Sequence, residues 1–234
     1  MTPRRSAVAV LLGSTLIGAC SDSLAPTGEH QLQVQVSAAL AQAPAAASGP
    51  TLAPGISSVE ITEAVVVLGG LKLETAGLDQ TVDWVLEESV VVPLDLTGQP
   101  TLAFDRNVPP GTYKELEISI DKLEVGHPEE QALIDLRTSL ADVSVLVAGQ
   151  ILRNGTPEAF EFTAPLDIDL ELPFSSALTV SEDDLFVALV SLEFDLSEWF
   201  VASGGGILDP SDPGDRSAIE AAITASIEVV KESQ

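Results

Sequence analysis

Residues 143–166 read VSVLVAGQILRNGTPEAFEFTAPL and establish the fold class of this chain. Asn154-Gly155, near the centre, is typical of the two-residue type I′ turn that joins antiparallel strands. If these two residues form the loop, the facing residues make three apolar pairs on one face of the sheet: Val147 with Phe162, Val145 with Ala164, and Val143 with Leu166. Turn chemistry and apolar pattern therefore predict the same register, in which Arg153 faces Thr156.

Alternation with a period of two continues along most of residues 57–196. In three runs the apolar residues share one parity: Val59, Ile61, Val65, Val67, Leu71 and Leu73; Val90, Val92, Leu94 and Leu96; Leu116, Ile118 and Ile120. Turn residues separate the runs, at Gly69-Gly70, Thr97–Pro100, Pro109–Gly111 and Pro173. Leu123 and Val125 then take the opposite parity, which predicts a β-bulge at Asp121-Lys122.

An earlier strand is predicted at 31–37, where Leu32, Val34 and Val36 alternate with polar residues. The Ala- and Pro-rich stretch 38–55 predicts a long surface loop after it. Helical periodicity is nearly absent before residue 210. We therefore expect an all-β fold, an antiparallel sandwich in which each sheet turns one face to the core and the other to water.

The last segment differs, because helical periodicity appears there. Asp212 is a candidate N-cap, with Pro213 at the first helical position and Asp215 in the first turn. The apolar residues that follow share one helical face up to Lys231: Ile219, Ile223, Ile227 and Val230. The pattern predicts a C-terminal amphipathic helix that packs on an open end or edge of the sandwich.

The N-terminus has the pattern of an export signal. Arg4-Arg5 supply positive charge, residues 7–17 are mostly apolar, and Ile17-Gly18-Ala19-Cys20 places small residues before the only cysteine of the chain. An apolar run of this length is too short to span a bilayer, which takes about 20 residues. The segment resembles the lipobox signals of bacterial prolipoproteins. That resemblance implies cleavage between Ala19 and Cys20 and attachment of a diacylglyceryl group, with acyl chains such as palmitate, to the Cys20 thiol.

These features divide the chain into four parts. We expect a signal peptide at 1–19, a lipidated tether at 20–30, a β-sandwich domain at 31–200, and an acidic Gly/Pro loop with the C-terminal helix at 201–234. The exported protein would then be lipid-anchored to the cell membrane or the outer membrane.

The charge of the chain limits its partners. Removal of residues 1–19 takes away two of the 10 basic residues and none of the 36 acidic ones, so the net charge changes from −26 to −28. Such a surface repels nucleic acid, which excludes it as a partner. Contact with the membrane is expected through the lipid anchor alone. The 45% of hydrophobic residues is too high for a disordered acidic tail.

Several short segments also resemble a known kind of domain. The segments are residues 59–64, 94–98, 108–113 and 192–196, of which Val108-Pro109-Pro110-Gly111-Thr112-Tyr113 opens a strand. They resemble the uncharacterised domains of unknown function found in prokaryotic surface lipoproteins. The resemblance covers about residues 31–200 and implies an immunoglobulin-like or prealbumin-like sandwich without an assigned activity. We expect Tyr113 to hydrogen-bond a loop while its ring packs at the sandwich edge.

Catalytic motifs are missing from the sequence. His30 and His127 are the only histidines, and the chain has no Gly-x-Ser-x-Gly elbow, no phosphate-binding glycine loop and no His-Glu-x-x-His helix. A glycosidase needs only two carboxylates, but among 36 acidic residues no pair stands out. We therefore expect no enzymatic activity and no bound cofactor.

Calcium is the metal that the sequence best allows. Asp209, Asp212 and Asp215 recur in the Gly/Pro-rich loop 204–215, although helix capping also explains the last two. A second acidic group, Asp167, Asp169 and Glu171, alternates with apolar residues, which is typical of a solvated strand face and less so of a cation site.

Aromatic residues are few, and one could serve a ligand. Trp84, in a predicted loop at 77–89, is the best candidate for a flat ring that binds a sugar. Trp199 and Phe200 are expected to cover the core end beneath the C-terminal helix. We expect a non-catalytic binding or structural module of the cell envelope with a glycan or an envelope protein as partner; the alternative is a carbohydrate- or calcium-dependent adhesion domain.

Overall fold

The computed structural model describes residues 30–39, 55–77, 83–181 and 186–232. The predicted signal peptide, the Ala19–Cys20 cleavage site, the lipidated Cys20 and most of the loop 38–55 lie outside the described residues. Those predictions remain predictions.

Two β-sheets and two short α-helices form the described part of the chain. The strands are β1 (His30–Ala39), β2 (Ile56–Thr75), β3 (Trp84–Leu86), β4 (Val90–Pro93), β5 (Thr101–Asn107), β6 (Gly111–Ile120), β7 (Val145–Arg153), β8 (Thr156–Ala164), β9 (Ile168–Val180), β10 (Phe186–Asp195) and β11 (Ile227–Glu232). The helices are α1 (Pro128–Leu136) and α2 (Arg216–Ala225), and Thr138–Leu140 forms a 3-10 turn.

The smaller sheet has the order β11-β10-β1-β5, and the larger one the order β8-β7-β2-β6-β9, with β3 and β4 also paired to β2. Side chains of both sheets form one buried cluster, which includes Val34 and Phe104 from the smaller sheet and Val66, Leu116 and Val147 from the larger. This confirms the all-β, sandwich-like class. It also corrects one detail, because β1 and β10 pair in parallel. A parallel pair needs a crossover of about a dozen residues or more, and the long separation of β1 and β10 in the sequence allows it.

The hairpin predicted around Asn154-Gly155 is confirmed. Arg153 faces Thr156, and the two apolar pairs within the strands are formed as expected. Asn154 has φ 51° and Gly155 has φ 79°, as a type I′ turn requires. The third predicted pair, Val143 with Leu166, lies beyond the ends of β7 and β8.

Strand β2 contains three irregularities that the sequence pattern does not reveal. Its pairing skips Ser57 and Thr62 against β7, and Gly69 against β6. Each extra residue reverses the face on which the following side chains lie. The expected turn at Gly69-Gly70 is therefore wrong, because both glycines lie inside a continuous strand. A Cβ atom on Gly70 would come within 2.6 Å of the Leu86 carbonyl oxygen.

The bulge at Gly69 also separates residues that the alternation placed together. After the bulge, the odd-numbered Leu71 and Leu73 face the main core. Before it, the even-numbered Val66 and Leu68 face the same core. Val65 and Val67 belong instead to a second buried cluster on the outer face of β2, so the single face predicted for residues 65–73 is wrong.

Helix α1 and the 3-10 turn cover that outer face. Leu123, Ile134 and Leu140 pack against Val65 and Val67. A helix thus forms before residue 210, although helical periodicity is nearly absent there. Residues 128–136 hold their apolar side chains in one short block, which gives no helical period.

The predicted bulge at Asp121-Lys122 is wrong as well. Strand β6 ends at Ile120, and the chain leaves the sheet to carry Leu123 into the second cluster. Pro173 lies within β9, beside a shift in its pairing with β6, and not in a turn. The expected turns at Thr97–Pro100 and Pro109–Gly111 are confirmed as the connections that lead from β4 to β5 and from β5 to β6.

The C-terminal helix is shorter than predicted. It runs from Arg216 to Ala225, with Asp215 and not Asp212 at the N-cap, and Ile219 and Ile223 are buried as expected. From Ile227 the chain forms β11 on the open edge of β10. The helical interpretation of Ile227 and Val230 is therefore wrong, because sheet pairing outweighs the local period. Trp199 is fully buried, as predicted, and donates from Nε1 to Ser226 Oγ at 2.7 Å.

Tyr113 closes the connection between β5 and β6, as the sequence predicts. Its hydroxyl donates to the Pro109 carbonyl oxygen at 2.8 Å, and the residue is 3% exposed. Burial raises the pKa of the Tyr113 phenol above its usual value of 10.0, because the tyrosinate would lose hydration.

Titration of tyrosine absorbance should show this shift directly, since Tyr113 is the only tyrosine. We expect the midpoint in the native protein to lie above the midpoint in denaturant. The neutral phenol then contributes stability that is present below the unfolded pKa and is lost as the pH rises through the folded one. Tyr113→Phe should remove the titration and cost about 1 kcal/mol through the lost hydrogen bond. A native midpoint equal to the denatured one would contradict the burial of this side chain.

Candidate functional site

A cleft of about 810 Å³ opens on the outer face of the larger sheet, beside α1. It lies where three segments that are distant in the sequence meet. The lining residues are Gly69 from β2; Glu87, Glu88 and Ser89 between β3 and β4; and His127, Pro128, Glu129, Glu130 and Leu133 at the start of α1.

Glu130 holds two of these segments together. Its Oε1 accepts a hydrogen bond from Ser89 Oγ at 2.7 Å, and its Oε2 accepts one from the Glu124 amide. At the other end of the helix, Arg137 donates to Glu63 on β2. That hydrogen bond lowers the pKa of Glu63 more than partial burial raises it. The helix is thus fixed to the sheet at both ends, and the cleft wall has a defined position.

The remaining polar groups of the cleft lie at its rim. Glu87, His127 and Glu129 are exposed. Glu88 accepts a hydrogen bond from Arg106 Nε at 3.2 Å, and this ion pair links the cleft to the smaller sheet. The cleft therefore has an excess of negative charge and suits a cationic group. In the described part of the chain, no three His, Cys, Asp or Glu residues are placed to hold a metal ion together.

The three aspartates proposed for calcium all accept hydrogen bonds from other groups of the protein. Asp209 is 7% exposed, and its Oδ2 accepts from Arg153 Nη2 at 2.7 Å. Asp215 Oδ2 accepts from the Asp209 amide at 2.8 Å, and Asp212 Oδ1 accepts from the Gly214 amide at 2.8 Å. Arg153 thus supplies the positive charge beside Asp209, and the loop is tied to the end of β7.

The second acidic group lies on a strand, as predicted. Asp169 and Glu171 belong to β9, an outer strand of the larger sheet, and Asp167 precedes it. All three are exposed. Glu171 faces Glu117, which forms an ion pair with Lys72 at 2.9 Å. This pairing raises the pKa of Lys72.

Trp84 does not lie in a loop, although part of the predicted segment 77–89 is outside the described residues. The residue begins β3, where it faces Leu73 of β2. Its side chain is half-buried and packs against the main core. A flat sugar-binding ring at Trp84 remains a prediction, and the partly buried side chain also contributes to the core.

Basic side chains on the described surface are almost all engaged. Of the seven whose side chains are described, six form an ion pair with a carboxylate: Lys72, Arg106, Lys114, Arg137, Arg153 and Arg216. Exposed pairs of this kind stabilise a fold little. Their main consequence is that few cationic side chains are left to balance the other carboxylates, so the described surface is strongly negative.

Sequence reasoning did not find the cleft. The available signals were the adjacent acidic residues Glu87-Glu88 and Glu129-Glu130, together with the glycine pair at 69–70. None of them indicates a site alone. They meet only because the bulge at Gly69 and the position of α1 bring the three segments together.

Comparison with known proteins gives no relative for this arrangement. No protein-family model matches the chain, and searches of curated proteins and of solved structures found no similar protein. In the described residues, no helix is both long enough and apolar enough to cross a membrane.

Sodium chloride and calcium chloride at equal ionic strength should raise the melting temperature by the same amount. Both salts screen the repulsion between surface carboxylates, and Arg153 already neutralises Asp209. Thermal melts of the protein in the two salts make the comparison.

A larger effect of calcium that disappears in Asp209→Asn/Asp212→Asn would contradict this and establish the loop as a calcium site. Asp167→Asn/Asp169→Asn is the matched control, because it removes the same charge from the exposed stripe.

Proposed function

We propose that this protein is a lipid-anchored binding or structural module of the cell envelope, without a catalytic role. The signal-like residues 1–19 and the single Cys20 support the anchor. The cleft beside α1 is the observation that carries the binding role, because a concave surface of this size suits a small ligand or a peptide segment.

The sandwich is proposed to be of the immunoglobulin-like or prealbumin-like kind. Tyr113 supports the first of these, since its hydroxyl bonds back to the Pro109 carbonyl at the corner where the chain passes between the sheets. A tyrosine in this position is a recurring feature of immunoglobulin-like sandwiches.

A cationic ligand is the chemistry that the cleft favours. Glu87 and Glu129 are exposed at its rim, and the cationic Arg106 is already paired with Glu88. A lysine-rich segment of an envelope protein would bring the opposite charge. The alternative, a carbohydrate- or calcium-dependent adhesion domain, has less support, because Trp84 packs partly on the core and Asp209 is paired with Arg153.

The anchor can be tested with the lipid-accepting residue. Cys20→Ser should leave the protein unlipidated, either released from membranes or uncleaved, since a serine hydroxyl does not replace the thiol. Membrane fractionation and detergent-phase partition measure this, with Ser21→Ala as the control beside it. An unchanged detergent-phase partition of Cys20→Ser would rule out lipidation.

The binding role can be tested with a lysine-rich peptide. Titration of the peptide into the wild-type protein should show saturable binding that weakens severalfold in Glu87→Gln/Glu129→Gln. Asp167→Asn/Asp169→Asn carries the same change of charge outside the cleft and should bind like the wild type. Equal weakening of both variants would mean that the peptide responds to the overall charge, and the cleft would lose its proposed role.

A further inference from the structure

Strand β1 is held along both of its edges. It pairs in parallel with β10 at ten positions, from His30 with Phe186 to Ala39 with Asp195. Along the other edge it pairs antiparallel with β5, from Gln31 to Val36. The first described strand of the chain is therefore an inner strand of the smaller sheet.

The side chains of β1 fix its position along its own axis. Leu32, Val34 and Val36 are each at most 1% exposed and lie in the main core. Gln33 and Gln35 alternate with them on the outer face. A shift by one residue would bury the glutamines and expose the apolar side chains.

A bulge between β1 and β5 adds a second constraint on sliding. Val34 faces Phe104 and Gln35 faces Leu102, so Ala103 is the extra residue of β5. A displaced β1 would lose the match with this bulge as well as the match with the core.

The other end of the described chain is held differently. Strand β11 lies at the edge of the sheet and pairs only with β10, at six positions. Of the first and last strands of the described chain, β1 is thus paired along both edges and β11 along one.

We propose that the domain carries tension, with β1 as the strand that resists a pull from the membrane anchor. This inference rests on the proposed anchor at Cys20, which precedes β1. A pull on the tether enters the domain at His30, the first residue of β1, and is opposed where the domain binds its partner. The bonds to β10 and β5 are then loaded together, because a strand that slides along its axis must break both ladders at once.

Single-molecule pulling in two directions tests the proposal. The full-length chain made without export keeps the Cys20 thiol free, and this is the only cysteine, so one handle attaches there. A second handle at Glu198→Cys, which follows β10, pulls β1 and β10 in opposite directions along their length. A second handle at Asn107→Cys, which faces Gln31 at the start of β1, separates β1 from β5 one pair at a time.

We expect the unfolding force for the Cys20 and Glu198→Cys pair to exceed that for the Cys20 and Asn107→Cys pair severalfold. Both substituted residues are exposed, and thermal melts of the two variants should agree, so that only the direction of the force differs. Equal forces in the two directions, or a lower force along the strand, would overturn the proposal. Membrane fractionation of Cys20→Ser tests the anchor separately, so failure of the anchor and failure of β1 to resist force are distinguishable.

Discussion

The pairing of β2 with four other strands is the interaction on which the larger sheet depends. Strands β3, β4, β6 and β7 all hydrogen-bond to it, and β8 and β9 are attached through β7 and β6. Its 20 residues pair along their length with these neighbours because three bulges, at Ser57, Thr62 and Gly69, shift the register of β2 against β7 and β6. At two of the bulges a hydroxyl of the strand itself assists: Ser57 Oγ donates to the Leu152 carbonyl and Thr62 Oγ1 to the Ala148 carbonyl. Bulges increase the local twist, which lets one long strand serve partners along its whole length.

The same irregular strand explains why the molecule has a cleft. Between the bulges at Thr62 and Gly69, β2 presents Val66 to the main core and Val65 and Val67 to the opposite side. An apolar outer face must be covered, and the segment between β6 and β7 does this with α1. The helix covers Val65 and Val67 but stops short of the segment that links β3 to β4. The cleft is the space left between them, and its charge comes from the carboxylates at both margins.

Local signals in the sequence predicted what is local in the structure. The hairpin at Asn154-Gly155 and strand β1 were predictable because the turn residues and the alternation lie within a few positions of each other. Three features were not predictable, because distant partners decide them. The bulges change which side chains of β2 face the core, α1 covers the outer face of β2, and β11 pairs with the free edge of β10. In the candidate site, too, features that depend on neighbouring residues were predictable and features that depend on distant partners were not. The aspartate loop was visible as a cluster, but the partner of Asp209 is Arg153, 56 residues away, and the cleft joins three separate segments.

The parallel pairing of β1 with β10 also determines when the smaller sheet can form during synthesis of the chain. A chain that emerges from its N-terminus presents β1 early, yet Ser37 of β1 finds its partner Leu192 155 residues later. Contacts of such long range form slowly, because loop closure must precede them. The smaller sheet therefore cannot close until β10 has been made. Until then the apolar side of β1 has no native cover, and such exposed apolar surface makes a nascent chain prone to aggregation.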